Sequence, residues 1–225
     1  MLRKLILFLS CGMFIGCGAL NTARPLAQGE NAVGVTFGGL LVTQLGPPIP
    51  VPNLVLERKT GIAPIAGRPT DVNYGINTTA LAFGTVGVHA GITTLLAEQK
   101  GWMPSVSVLE RLHVYSNYTD FTNPMESRGI FALNQIDLTM AWDVKRHLGY
   151  VGVANYVDLI DPELNITPFA GFAYHTKKRF FWQLESRYLA ANRTQDVDDI
   201  SVYSFGENGG LSVTASFGWK LGGSQ

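Results

Sequence analysis

The sequence predicts an all-β fold: an antiparallel up-and-down transmembrane β-barrel of about ten strands. Three observations carry that reading. Apolar and polar residues alternate with period two along most of the chain, in runs of strand length separated by turn residues. The polar side of the alternation is rich in Gly, Ser, Thr and Asn, where the water-facing side of a soluble sandwich would carry many Lys and Glu. Finally, the four tryptophans fall on the apolar side and, once the strands are threaded up and down, at one end of them.

Composition sets the frame for these patterns. The 225 residues suffice for one large β domain, and no linker divides them. They are 46% hydrophobic and 15% charged, against about 25% charged in soluble domains. Seventeen basic residues balance seventeen acidic ones, so no global field recruits nucleic acid or an acidic substrate. Beyond the N-terminus no stretch approaches the ~20 apolar residues a membrane helix needs.

The first element, residues 1–16, reads as a lipoprotein-type signal peptide. Arg3 and Lys4 supply its positive end and Leu5–Ile15 its apolar stretch. It closes on Phe14-Ile-Gly-Cys17, which resembles a bacterial lipobox and implies lipidation at Cys17. The alternative is an ordinary secretory signal cut between Ala19 and Ala27. With Cys17 acylated, no cysteine remains for a disulfide in the mature chain. Residues 17–30 then form a polar, proline-containing tether, 31–221 the barrel and 222–225 a C-terminal tail.

Strands are expected at 31–43, 53–59, 70–82, 86–96, 103–116, 130–144, 149–158, 165–175, 179–190 and 209–221. The last is the plainest: Leu211, Val213, Ala215, Phe217, Trp219 and Leu221 oppose Ser212, Thr214, Ser216, Gly218 and Lys220. In 130–144, Ile136, Leu138, Met140, Trp142 and Val144 oppose Gln135, Asp137, Thr139, Ala141 and Asp143. In 179–190, Phe180, Trp182, Leu184 and Tyr188 oppose Gln183, Glu185 and Arg187; in 70–82, Val72, Tyr74 and Ile76 oppose Asp71, Asn73 and Asn77. With both termini on one side, the connections at 44–52, 117–129 and 191–208 fall on the other side and are long, whereas 97–102, 145–148 and 176–178 are short. A long 60–69 and a tight 83–85 break that asymmetry. Trp102, Trp142, Trp182 and Trp219 all lie at the end of the short connections with lipid-facing parity, as an interfacial aromatic girdle requires.

A signal peptide, a lipobox-like cysteine and about ten alternating strands ending on an aromatic one resemble a small bacterial outer-membrane β-barrel protein, here lipid-anchored. The resemblance is architectural and covers residues 31–221. It implies a place in the outer membrane, with the anchor and both termini on the periplasmic side. It also implies contact with outer-membrane lipids and protein partners reached through the outer loops 117–129 and 191–208. Barrels of that class usually end on an aromatic residue; here the chain continues from Trp219 through Lys-Leu-Gly-Gly-Ser to Gln225.

The inward parity collects His89, Arg111, His113, Asp137, Asp143, Tyr156, Asp158, Glu185 and Arg187, which read as an ion-pair and hydrogen-bond network filling the lumen. About ten strands enclose a lumen only slightly wider than one that side chains fill, so a wide pore is not expected. Glu110 has the outward parity of Val106, Val108, Leu112 and Val114; the expectation is a bulge at 109–111 turning it inward, or a position nearer a rim. His113-Val-Tyr-Ser116-Asn117 resembles the His–Ser motif of outer-membrane lipid A deacylases, but residues three apart on a strand point to opposite faces. No zinc spacing, phosphate loop or nucleophile elbow is present, so no metal, cofactor or catalytic residue is expected. Asp196, Asp198 and Asp199 read as a solvated outer loop. The leading function is therefore a structural or interaction barrel with at most narrow conductance. The alternatives are a lipid-anchored, lipocalin-like calyx holding an apolar ligand, which needs Phe217 and Trp219 to point inward, and an outer-membrane lipid-modifying enzyme.

Overall fold

In the computed structural model, residues 23–43, 47–79, 85–117, 130–159, 162–176, 179–194 and 202–222 are described. The signal peptide, Cys17, the outer-loop residues Asp196, Asp198 and Asp199, and most of the loop 117–129 lie outside them. The strands are β1 (Asn31–Val42), β2 (Ile49–Pro50), β3 (Asn53–Ile65), β4 (Arg68–Asn77), β5 (Thr85–Ala97) and β6 (Ser105–Asn117). After them come β7 (Ile130–Val144), β8 (His147–Asp158), β9 (Asn165–His175), β10 (Phe180–Thr194) and β11 (Asn208–Leu221). β1 pairs antiparallel with β3, each strand from β3 to β10 pairs antiparallel with the next, and β11 closes on β1 from Asn31↔Leu221 to Leu40↔Ser212. The result is a closed ten-strand barrel, with β2 a two-residue ribbon folded back on the end of β1.

The barrel has a foot, where β1 begins and β11 ends, and a head. Following paired residues from Asn31 at the foot leads through Thr60, Val72, Ile92, Glu110, Ile136 and Asn155 to Ile166, at the head end of β9. A path perpendicular to the strands thus climbs the whole wall, the signature of tilted strands.

At the foot, the connection between β3 and β4 corrects the sequence expectation. The supposed long connection 60–69 is a hairpin: β3 runs to Ile65, Ala66 (φ 50°) and Gly67 (φ 74°) turn the chain, and β4 starts at Arg68. Two successive positive φ values make a two-residue turn whose twist suits a hairpin. Pro64 and Pro69 sit beyond the last paired residue of β1 (opposite Thr60) and of β5 (opposite Thr70), so neither proline breaks a ladder to those neighbours. The expected strand 70–82 stops at Asn77, and residues 80–84 of the following connection lie outside the described set.

The polarity of the wall is inverted relative to a soluble protein. Phe217 and Trp219 are each 45% exposed on the outside, while Ser216 and Thr214 of the same strand are 2% and 5% exposed inside. The same holds around the barrel: Leu56, Ile76, Val88, Leu138, Val153 and Leu184 are exposed, and Glu57, Asp71, His89, Arg111, Asp137 and Glu185 are buried. The calyx alternative required the opposite orientation of Phe217 and Trp219 and is ruled out by it. Glu110 is also corrected: pairing through Ile92↔Glu110 and Glu110↔Ile136 is continuous, no bulge turns it inward, and its side chain is exposed outside.

Candidate functional site

The candidate site is the barrel interior. Residues two apart on a strand share a face, so inward pairs are delivered by Glu57/Lys59, Asp71/Asn73, Arg111/His113 and Gln135/Asp137, and β10 adds the triplet Gln183/Glu185/Arg187. On the β3–β6 wall Glu57 is the hub. One carboxylate oxygen lies 3.0 Å from His89 Nε2 and 3.3 Å from Arg111 Nη2; the other lies 3.5 Å from Lys59 Nζ. Arg111 Nε donates to Asn73 Oδ1 at 2.9 Å.

A second cluster covers β7–β10. Arg187 donates through Nη2 to Asp137 (3.1 Å), through Nε to Glu185 (2.5 Å) and through Nη1 to the Tyr156 hydroxyl (2.9 Å), with its guanidinium 4.6 Å over the Phe169 ring. Tyr150 donates to Glu185 at 2.9 Å and accepts from Gln183 at 2.6 Å. Gln135 joins the two halves: its amide nitrogen donates to Asp137 and its oxygen lies 2.8 Å from His113 Nε2. His113 in turn sits ring to ring with His89, centroids 5.6 Å apart. Side-chain contacts therefore run through the interior from Lys59 to Gln183, with the two clusters meeting at the His89–His113 ring contact. Charges taken out of water need such partners, and these interlock several strands.

Most of the residues singled out from sequence are in this interior: His89, Arg111, His113, Asp137, Tyr156, Glu185 and Arg187 are all buried. Asp143 is not part of the network. It lies half-exposed at the foot, ion-paired with Arg24, and its backbone N–H donates to Gln99 Oε1 at 2.7 Å. Asp158 is the last residue of β8, at the head. Glu57, Lys59 and Tyr150 belong to the network although sequence reasoning did not assign them to it. Ser116 and His113 sit on opposite faces of β6, with His113 buried among the polar groups just described.

The foot of the lumen is crossed by residues 23–30, within what the sequence suggested to be a tether. Ala23 is buried against Ala141, Leu148 and Tyr150, and its carbonyl accepts from Ser107 Oγ. Arg24 pairs with Asp143; the Leu26 N–H donates to Asp71 Oδ2 at 2.9 Å. Gly29 N–H donates to Gly61 O, and Gly61 N–H to Glu30 O. Gly61 is required there, since a Cβ would overlap the Ala27 carbonyl oxygen.

The four tryptophans stand at the foot. Trp102 is in the β5–β6 turn, where its carbonyl accepts from Trp142 Nε1 at 3.0 Å. Trp182 packs with Phe172 and Tyr174, and Trp219 with Phe180.

No protein-family model and no curated protein matches this sequence. Among solved structures, the crystal structure of the COG4313 outer membrane channel from Pseudomonas putida F1 is similar, with a TM-score of 0.51 at 9% identity over 91% of this chain and 100% of that one. At that identity the likeness establishes the fold alone, a closed antiparallel β-barrel that an outer-membrane channel also uses.

Proposed function

We propose that the protein is a bacterial outer-membrane β-barrel whose lumen is closed in its resting state, with a structural or interaction role and at most narrow conductance. Its foot faces the periplasm, where an acylated Cys17 adds a second hold on the membrane. The outer loops 117–129 and 191–208 are its contact surface for protein partners. The observation that carries this reading is the inverted wall: an exposed, predominantly apolar exterior around an interior of buried charges paired with one another. The tryptophans at the foot suit an interfacial girdle. The description of the structural neighbour as an outer membrane channel favours the same compartment.

Conduction is limited by what fills the lumen. Buried side chains of the Glu57 and Arg187 clusters occupy it, and residues 23–30 cross its foot. Planar-bilayer recording tests this. The expected result is no steady large conductance from the purified barrel; a stable, wide, water-filled pore would contradict it.

A further inference from the structure

Between the foot and head rims, the described outer wall carries two charged side chains among apolar ones: Arg58 of β3 and Glu110 of β6, both exposed. They have opposite sign and sit too far apart around the barrel to pair with each other. Among the described residues, Arg58 reaches Asn31 Oδ1, at 3.3 Å.

Their positions are related. The paired path from Arg58 runs through Tyr74 and Ala90 to Leu112, two residues headward of Glu110 on β6. Crossing three tilted strands raises the path toward the head by roughly 9 Å, and stepping back two residues lowers it by roughly 5 Å. Arg58 and Glu110 therefore lie within about 4 Å of the same depth, less than the length of an arginine side chain. Between them lies an exposed apolar face containing Tyr74, Ile76, Val88 and Ala90.

We propose that this face, from β3 to β6, is where a second copy of the chain packs in the membrane, with Arg58 of each copy paired to Glu110 of the other. A two-fold axis along the membrane normal, passing between Tyr74 and Ala90, brings both pairs together at once, because an isologous interface meets its own mirror sequence of patches. An anionic lipid headgroup would neutralise Arg58 and repel Glu110. A second copy satisfies both charges and covers the apolar strip between them.

The inference rests on the membrane reading above. Ala90→Cys places a thiol beside the axis, and Leu184→Cys, on β10, places one on the opposite wall. Bis-maleimide treatment of intact membranes should cross-link the first variant to a dimer, and neither the second nor the chain without an added cysteine. On the Ala90→Cys background, Glu110→Arg or Arg58→Glu alone should weaken dimerisation about a hundredfold or more, and both together should restore it. Heat-modifiable gel migration reports that each variant is folded; should a reversal misfold, Glu110→Gln and Arg58→Gln replace it, each expected to lower cross-linking. Absence of a dimer, equal cross-linking from Leu184→Cys, or dimers indifferent to the single changes would overturn the proposal. A folded barrel washed out of the membrane fraction would overturn the membrane reading instead.

Discussion

Arg187 holds three partners while only 4% exposed, so its loss takes a shared buried cation away from Asp137 and Glu185. Arg187→Met should destabilise the barrel by about 3–5 kcal/mol, read as a lower urea midpoint for unfolding from lipid vesicles. A loss of under about 0.5 kcal/mol, as at an ordinary surface position, would show that the network is not what ties these strands together. Such residues were legible to different degrees. Gln183, Glu185 and Arg187 alternate with Trp182, Leu184 and Tyr188, so their direction follows from parity alone. Glu57-Arg58-Lys59 follows the unbroken apolar run Leu54-Val55-Leu56, and three charges in a row carry no parity signal. Only the register with β1 and β4 reveals that Glu57 and Lys59 turn inward and Arg58 outward.

Among the elements, the segment 23–30 depends on one small residue in a neighbouring strand. Gly61→Val would drive its side chain into the Ala27 carbonyl and dislodge the crossing. Hydrogen exchange at the Leu26 amide, now bonded to Asp71, should then accelerate by orders of magnitude while amides of β7 and β8 keep their protection. Unchanged protection at Leu26 would mean that the crossing does not rely on this contact. Sequence could not show the crossing, because its contacts are backbone groups and single side chains more than thirty residues away. The β3–β4 hairpin was hidden for a different reason. Gly61, Pro64, Gly67 and Pro69 look like a loop, and only its protrusion beyond β1 and β5 lets prolines sit in paired strands. Strands with strict alternation, β7, β10 and β11, were found with starts and ends within four residues of those observed.

For the whole molecule, the direction of the apolar face decides the environment. Leu138, 52% exposed on β7, faces lipid if the barrel spans a membrane. Leu138→Arg should then cost about 2–4 kcal/mol in lipid vesicles, whereas on a water-facing wall it would be close to neutral. The fold class was legible because a barrel imposes its two-faced pattern on every strand at once. What the lumen is for was not, since paired charges that fill space and paired charges that guide a solute use the same residues.

The most direct test separates the wall from the lipid anchor. A Cys17→Ala chain, exported behind a cleavable secretory signal so that no acyl group is attached, should remain in the membrane pellet after an alkaline carbonate wash and should show heat-modifiable migration. Release of the folded chain into the supernatant would mean that the apolar wall does not hold it in a bilayer, and the central claim would fail.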